Sequence, residues 1–196
     1  MRKTLLLASN SPRRRELLLE AAFDFEISAA EVAERFDVDL TLRELTAFNA
    51  MRKAMAAARL RPKQVVLAAD TLVAVGDHIL GKPKDKNEAV AMLARLSGRA
   101  HEVCTSVCIC HLEEARSNSF YEISRVYFRK LDRAKIDNYV TRVNPLDKAG
   151  AYAAQGFGSE IIEKIDGSYT NVVGLPMEKT IPALAEFGIE PQSGSD

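Results

Sequence analysis

Two kinds of hydrophobic pattern alternate along the chain: short unbroken apolar runs, and longer segments in which apolar residues recur every three or four positions. The runs over 3–9 and 64–70 are too short for helices and predict buried strands. The segments over 12–22 and 41–59 have the spacing of amphipathic helices. Leu17, Leu18 and Ala21 mark the predicted inner face of the first helix, and Leu42, Leu45, Phe48 and Met51 or Arg52 that of the second.

Polar turn residues divide the remainder of the chain into further elements. Gly76 and Asp77 predict the turn of a hairpin, and Asp85 has capping-box spacing to Glu88. We expect the segment 25–36 to be an irregular connection. The other predicted elements are a helix that Gly98 ends, strands over 100–111 and 120–130, a helix over 132–140, and a last helix from Pro176 in which Pro182 introduces a kink or delays the start.

Strands and helices alternate throughout, which predicts an α/β protein with a mixed sheet flanked by helices. The 196 residues fit one large domain or two small ones, and we assign 1–190 to a single domain and 191–196 to a flexible polar tail. The formal net charge is zero, which argues against a general nucleic-acid or membrane surface. No secretion signal or membrane-spanning run stands out, so we expect a cytoplasmic protein.

The three cysteines, Cys104, Cys108 and Cys110, lie close together in one alternating segment. Their odd number argues against a disulfide framework. Zinc binding together with His101 and His111 is the alternative, but the cysteine spacing matches no common zinc pattern. We therefore expect buried thiols.

The start of the helix over 12–22 is the first candidate for chemistry. Arg13 and Arg14 lie at the positive end of the helix dipole, where cations are unfavourable unless an anion joins them. Backbone N–H groups, forked guanidinium groups and the hydroxyls of Ser9 and Ser11 could together bind phosphate oxygens. A solvated basic helix end, with Ser11 as its N-cap, is the alternative interpretation.

Asp70 directly follows a buried run, at the predicted carboxyl end of a strand, where α/β sheets bind ligands. There it could hold a metal ion or accept a proton from water; alternatively it caps a turn with Thr71. Lys82 and, still less, Lys53 are weaker candidates as phosphate-binding cations, and taken alone Lys82 is better explained by an ordinary surface turn.

Two further groups of residues complete the pattern. Glu31 and Glu34 are acidic residues in a connecting segment, where carboxylates are ordinarily solvated. The glycine-rich segment 147–158 contains Gln155, whose amide both donates and accepts and so matches the edge of a nucleobase. A tight bend explains the glycines of this segment as well. Taken together, cations, carboxylates and an amide are what a nucleoside polyphosphate would use.

In six stretches that cover nearly its whole length, the chain resembles the Maf family of nucleotide pyrophosphatases. The stretches are LASNSPRRRELL, AADTLVAV followed by GKP, LSGRAHEVCTSV, IDNYV, DKAGAYAAQGFG and GSYTNVVGLP. The resemblance implies an elongated α/β domain with two lobes and a central cleft, similar to the inosine-triphosphate pyrophosphatases. It also implies hydrolysis of a nucleoside triphosphate to the monophosphate and pyrophosphate with a divalent cation, Mg²⁺ or Mn²⁺, and it makes a homodimer plausible.

The resemblance also implies a choice of substrate. Arg13, Thr71 and Gln155 match the branch that acts on dTTP and UTP; the branch that acts on 7-methylguanosine triphosphate has an aromatic residue, a glutamine and a glutamate there. The chain departs from the family pattern at Arg35, where a small hydroxyl residue is usual. It departs again in AFNAMRKA, where the helix usually ends in LA..KA.

In the mechanism that the resemblance implies, Asp70 accepts a proton from the attacking water. Glu34, together with Asp70, holds the metal, and whether Asp70 is mainly base or mainly ligand stays open. The cations Arg13, Arg14, Lys53 and Lys82 neutralise the departing pyrophosphate. The rival function is a nucleotide-binding regulator of septum formation, to which the family was first linked; a carboxylate beside the phosphates would give such a protein no advantage unless a metal ion is bound there.

Overall fold

The computed structural model describes residues 3–28, 32–36 and 39–192, and it has the predicted α/β architecture. The strands are β1 Leu5–Leu7, β2 Phe25–Ile27, β3 Val65–Val75, β4 His78–Leu80, β5 Ala100–His111, β6 Arg116–Phe128 and β7 Ile162–Asp166. The helices are α1 Pro12–Glu20, α2 Leu42–Leu60, α3 Lys86–Leu96, α4 Arg133–Arg142, α5 Gly158–Ile161, α6 Tyr169–Val173 and α7 Met177–Glu186, with a 3₁₀ turn at Ala149–Ala151. Within these ranges no helix is both long and apolar enough to cross a bilayer.

The strands form one mixed sheet in the order β2-β1-β3-β5-β6-β7, with β4 paired to β3 outside this path. β1 is parallel to both of its neighbours, so that Leu5 lies opposite Phe25 on one side and Val65 on the other. The β3–β4 and β6–β7 pairs are antiparallel. The predicted mixed sheet and the predicted hairpin at Gly76–Asp77 are therefore confirmed.

The chain divides into two compact units. Unit 1 comprises 1–70, 105–121 and 174–196, and unit 2 comprises 71–104 and 122–173. Three of the four boundaries fall inside β3, β5 and β6, so these strands contribute residues to both units, and the fourth follows α6.

The core of unit 1 forms where α2 packs on β1 and β3. Every residue of β1 is buried, as expected for a parallel strand with neighbours on both sides. The face that α2 buries agrees with the predicted one at Leu45 but otherwise consists of small and polar residues, and Met51 is 48% exposed. Alanines allow a helix to lie close to a sheet. The buried residues of α2 are Leu45, Thr46, Asn49, Ala50, Ala54, Ala57 and Ala58.

The core of unit 2 is richer in large side chains. It contains residues of β3, β6, α3 and α4 together with the segment around the 3₁₀ turn. The Asp85 side chain accepts a hydrogen bond from the Glu88 amide and so starts α3 as predicted. Gly98 follows that helix with a φ of 66°, in the left-handed region that favours glycine.

The prediction that the strand over 64–70 stops at Asp70 is wrong. β3 continues to Val75, because its second half pairs with β4 and keeps burying apolar residues. Asp70 still lies beyond the end of β1, whose pairing with β3 ends at Leu7 and Leu67. Asp70 therefore lies just beyond the carboxyl end of β1, the parallel neighbour of β3. It does not lie at the end of β3 itself, which continues to Val75.

Other boundaries also differ from the predictions. The segment 25–36 begins with a strand, β2, which pairs with β1, and β6 begins at Arg116 rather than at residue 120. The α7 helix begins directly after Pro176 and includes Pro182, so its start is not delayed. The Pro176 carbonyl accepts hydrogen bonds from the backbone and hydroxyl of Thr180, which stabilise the first turn.

Of the predicted tail, residues 193–196 lie outside the described residues. The backbone N–H of Gln192 donates a hydrogen bond of 2.7 Å to the backbone carbonyl oxygen of Ala22. The chain is therefore attached to unit 1 up to this residue.

Candidate functional site

Asp70 is a buried carboxylate with a separate partner for each oxygen. Its relative exposure is 1%. Lys53 Nζ lies 2.5 Å from Oδ1, and Asn49 Nδ2 donates to Oδ2 over 3.3 Å. Both partners come from α2, one helical turn apart, because residues i and i+4 share one face of a helix. The carboxylate is consequently held in a defined orientation.

Lys53 joins two carboxylates rather than one. Its Nζ lies 2.8 Å from Glu34 Oε1 as well as 2.5 Å from Asp70 Oδ1. The lysine and glutamate side chains are 15% and 20% exposed, so this group opens toward solvent on the Glu34 side. We call Glu34, Asn49, Lys53 and Asp70 the acidic cluster.

Burial is the main influence on the pKa of Asp70. It raises the pKa of Asp70, because a carboxylate loses hydration when it is enclosed by protein, and the nearby Glu34 charge raises it further. The Lys53 ammonium and the Arg14 guanidinium oppose this rise. A raised pKa brings a carboxylate closer to the value that suits a general base at neutral pH.

Arg14 is bonded within unit 1. Its Nε donates to the Gly174 carbonyl over 2.8 Å, and its Nη1 donates to the Ala69 carbonyl over 2.9 Å and to Ser9 Oγ over 3.2 Å. Burial lowers the pKa of Arg14, while the Asp70 and Glu34 charges raise it. The guanidinium therefore links the carbonyl of Ala69, directly before Asp70, to the carbonyl of Gly174. The sequence alone did not reveal this structural role.

The other residues predicted at the start of α1 are Ser9, Ser11 and Arg13. Ser9 is 8% exposed, and its Oγ accepts a hydrogen bond from the Ser11 amide over 3.2 Å. Ser11 precedes α1 as predicted, but within the described part of the chain its hydroxyl makes no capping hydrogen bond. Arg13 lies half-buried in the first turn of α1.

Three of the predicted residues belong to unit 2. Thr71 follows Asp70 in β3 and is half-buried. Lys82 is exposed in the loop after β4, and Gln155 is half-buried in the segment between the 3₁₀ turn and α5. The residues that the structure brings together are those of the acidic cluster with Ser9 and Arg14, all in unit 1.

The segment that carries Gln155 is held by two tyrosines and two glycines. Tyr139 Oη accepts a hydrogen bond from the Ala153 amide over 3.1 Å. Gly150 has a φ of 67°, and a Cβ there would lie 3.1 Å from the Val73 side chain. A Cβ on Gly158 would lie 2.6 Å from the Ala153 carbonyl oxygen. The glycines thus serve close packing within unit 2.

His101 and Tyr152 form the second attachment of this segment. His101 Nε2 and Tyr152 Oη are 2.8 Å apart, and both rings meet Phe128 edge to face at centroid distances of 4.8 Å. Burial lowers the pKa of His101 to about 4 and raises the pKa of Tyr152. At neutral pH the ring cluster therefore contains a neutral histidine.

Sequence reasoning missed Asn49, which contributes to the acidic cluster as directly as Lys53 does. The available signal was an asparagine on the alanine-rich face of α2, four residues before Lys53. A buried amide has to find hydrogen-bond partners, so its presence on such a face marks a polar site nearby.

The donor set of the acidic cluster fits a magnesium-like ion that also binds phosphate. Mg²⁺ commonly takes one or two protein carboxylates and fills its remaining positions with water and substrate oxygens. Glu34 and Asp70 supply two carboxylates, and Glu31 lies outside the described residues. Nowhere among the described residues do three or more histidine, cysteine or acidic side chains form a metal cluster. The three cysteines are buried thiols that form no disulfide, as predicted.

Comparisons with known proteins give one consistent result. A family model described as "Maf-like protein" matches residues 4–187. The chain is 47% identical to the dTTP/UTP pyrophosphatase of Bacillus pumilus, over 95% of this chain and 98% of that protein. It is 40% identical to the dTTP/UTP pyrophosphatase of Desulforamulus reducens, over 96% and 98% of the two chains.

Solved structures agree with the chain in fold. A HAM1 protein from Coxiella burnetii superimposes with a TM-score of 0.56 at 14% identity, over 94% of this chain and 99% of that one. The Ham1 protein of Staphylococcus aureus gives a TM-score of 0.51 at 18% identity, over 95% and 100% of the two chains. At these identities the likeness concerns the fold alone, and it agrees with the predicted α/β class.

Proposed function

The chain belongs to the Maf-like protein family, and from this premise we propose that it is a nucleoside triphosphate pyrophosphatase that acts on dTTP and UTP. Relatives that carry this name are 40–47% identical to it over nearly the full length of both chains. The acidic cluster carries the proposal, because a buried, oriented carboxylate beside a second carboxylate and a lysine is suited to hydrolysis of a phosphoanhydride.

In this proposal Asp70 is the general base. It accepts a proton from a water molecule whose oxygen attacks the α-phosphorus. The bond between the α-phosphorus and the bridging oxygen breaks, and the products are the nucleoside monophosphate and pyrophosphate. The raised pKa of Asp70 and its fixed orientation both support this role.

Lys53 acts mainly as a counterion in this scheme. It lies between Glu34 and Asp70, and its charge offsets part of the repulsion between the two carboxylates and opposes the rise of the Asp70 pKa that burial causes. Glu34 would hold a divalent cation, with Asp70 as its second ligand in the alternative in which Asp70 is not the free base. When bound, that cation neutralises charge on the triphosphate oxygens.

The remaining predicted residues bind substrate in this proposal. Arg13, with Ser9 and Ser11, contacts the phosphates at the start of α1, and Arg14 supports them by bracing the adjacent backbone. Lys82 offers a further cation to the pyrophosphate group.

Gln155 and Thr71 are assigned to the nucleoside. Uracil and thymine each present an N3–H donor between two carbonyl acceptors. The Gln155 amide can accept from that donor and donate to one carbonyl in a single orientation. We also propose that the protein acts in the cytoplasm as a homodimer; light scattering on the purified protein tests the assembly.

A pyrophosphate-release screen over normal and modified nucleoside triphosphates, with and without Mg²⁺ or Mn²⁺, tests the function. We expect turnover to be highest with dTTP and UTP and to be lost when the metal is chelated. Release of orthophosphate instead of pyrophosphate would contradict the proposed bond cleavage. Binding without turnover under every metal condition would instead support the rival regulator.

A further inference from the structure

We propose that Asn49 is a positioning residue that fixes the candidate base and the loop carrying Glu34 with one side chain. The inference rests on the proposed function, since it assigns a task within the same site. It goes beyond the family pattern, because Asn49 lies in the AFNAMRKA stretch where the chain departs from that pattern.

Asn49 is buried to the same degree as Asp70, at 1% relative exposure. Its Oδ1 accepts a hydrogen bond of 2.9 Å from the Arg35 amide. Its Nδ2 donates to the Arg35 carbonyl over 3.2 Å and to Asp70 Oδ2 over 3.3 Å. One amide thus bonds both backbone groups of a loop residue and one carboxylate oxygen.

These partners allow only one orientation of the amide. Turning it over would place NH₂ against the Arg35 N–H, and it would place the amide oxygen against a carbonyl oxygen and a carboxylate. Asparagine therefore meets every demand of the site. Aspartate, which is acceptor-only when ionised, could satisfy the Arg35 amide but would repel Asp70.

The same contacts tie two acidic side chains to one helix. Arg35 directly follows Glu34, so the bonds from Asn49 hold the backbone next to that carboxylate. Lys53, one turn further along α2, holds the Glu34 and Asp70 side chains. Asn49 and Lys53 thereby jointly set the separation of the Glu34 and Asp70 carboxylates. Asn49 acts through the backbone of Arg35, and Lys53 acts through its charge.

Filling space does not explain an asparagine here, because the neighbouring inner positions of α2 are alanines such as Ala50 and Ala54. Leucine has the same number and branching of side-chain heavy atoms, but it has no hydrogen-bonding group. Asn49→Leu consequently removes the three hydrogen bonds and keeps most of the volume. Asn49→Ala, which matches the adjacent positions, serves as the second variant.

The test compares Asn49→Leu and Asn49→Ala with a control on the same helix face. The control is Thr46→Val, because the buried Thr46 hydroxyl lies 2.7 Å from Ser106 Oγ and also bonds within its own helix. We measure backbone hydrogen exchange at Arg35 by NMR, and kcat and KM with UTP under the conditions that give the wild type its highest turnover.

For both Asn49 variants we expect faster exchange at the Arg35 amide. We also expect kcat to fall by about three- to tenfold with KM within about twofold, because the loss concerns alignment of the reacting groups rather than binding. The control should leave exchange and kcat near wild-type values. Unchanged exchange at Arg35, or unchanged kcat in both Asn49 variants, would overturn the inference.

The exchange measurement separates this inference from the proposed function. If wild-type protein releases no pyrophosphate from any nucleotide, the proposed function fails while exchange at Arg35 still reports on the Asn49 link. If the wild type is active and only KM changes in the variants, the function stands and the positioning role is overturned. Circular dichroism identifies a variant that does not fold, and the other variant then decides.

Discussion

Asp70 in unit 1 and Gln155 in unit 2 are held in place by different kinds of contact. Around Asp70 the partners are charges and amides, with Lys53 and Asn49 bonded to its two oxygens. Around the Gln155 segment the partners are rings and close-packed backbone, as with Tyr152 against His101. The chain therefore builds one candidate site residue into an electrostatic network and carries the other, half-buried, on a segment that is attached to a packed core.

The two constructions respond differently to change. Removing a single charge from a buried network leaves its partner uncompensated, so the effect is large and depends on the charge removed. A segment held by packing responds to shape and to protonation of a buried ring. Four experiments examine this difference, in order of decreasing expected effect.

Replacing the candidate base should give the largest effect. Asp70→Asn keeps the shape of the side chain but removes the proton acceptor, so kcat for UTP should fall by about 10²–10⁴-fold. Pyrophosphate release measures the loss, and circular dichroism checks the fold. Asp77→Asn, at the exposed β3–β4 turn, is the matched control. Near-normal turnover by Asp70→Asn would mean that Asp70 is only a structural anchor of the cluster.

Acid should weaken unit 2 through His101. Folding lowers the pKa of His101 from 6.5 to about 4, so the folded protein excludes a proton that the unfolded chain takes up. Stability should consequently fall as the pH drops from 6.5 to about 4, by about 3 kcal/mol in total. Urea unfolding at pH 7, 5.5 and 4 measures this loss.

The variant His101→Gln should remove that part of the acid sensitivity, because glutamine does not titrate and can still bond Tyr152. His78→Gln, at the exposed first position of β4, should leave the sensitivity intact. Equal pH dependence in wild type and His101→Gln would show that other groups govern acid unfolding.

Substrate preference should change next. Gln155→Glu replaces a donor with an acceptor, which leaves one pyrimidine carbonyl facing a carboxylate. An unpaired buried polar group costs about 1–3 kcal/mol, so kcat/KM for UTP and dTTP should fall about ten- to hundredfold, and less for GTP. Gln155→Met keeps the length of the side chain but cannot form its hydrogen bonds. It should lose the preference for UTP and dTTP without any increase in kcat/KM for GTP. An unchanged order of UTP, CTP and GTP in Gln155→Glu would mean that this residue does not face the base.

Replacing Arg13 or Arg14 should have the smallest effect of the four experiments. The two variants should differ from each other, because one arginine is proposed to bind substrate and the other stabilises unit 1. Arg13→Ala should raise KM for UTP about tenfold, the value of a charge-assisted hydrogen bond, and should keep or raise the melting temperature of the empty protein. Arg14→Ala should lower that temperature, because the Gly174 and Ala69 carbonyls lose donors. A large loss of stability in Arg13→Ala would show that Arg13 is also structural.

Local pattern was sufficient to predict β1, α1, α2 and the hairpin after β3, because apolar spacing and turn residues are local properties. It also identified Asp70 and Lys53 as candidates. It failed where a partner distant in sequence decides the outcome. β3 continues past Asp70 because β4 pairs with it, and the hydrogen bonds of Arg14 to the Gly174 and Ala69 carbonyls depend on residues far along the chain, so no local pattern predicts them. Asn49 escaped notice because its partners lie 14 and 21 residues away.

The buried cysteines of β5 provide a built-in reporter of conformational opening. Cys104, Cys108 and Cys110 are buried thiols outside any disulfide, so a thiol reagent reaches them only when the strand is exposed. Hydrogen bonding with Cys110 lowers the pKa of Cys108 to about 7, and thiolates are the reactive form. Since β5 contributes residues to both units, the labelling rate of each cysteine, resolved by mass spectrometry, would reveal whether the two halves of this strand open together or separately.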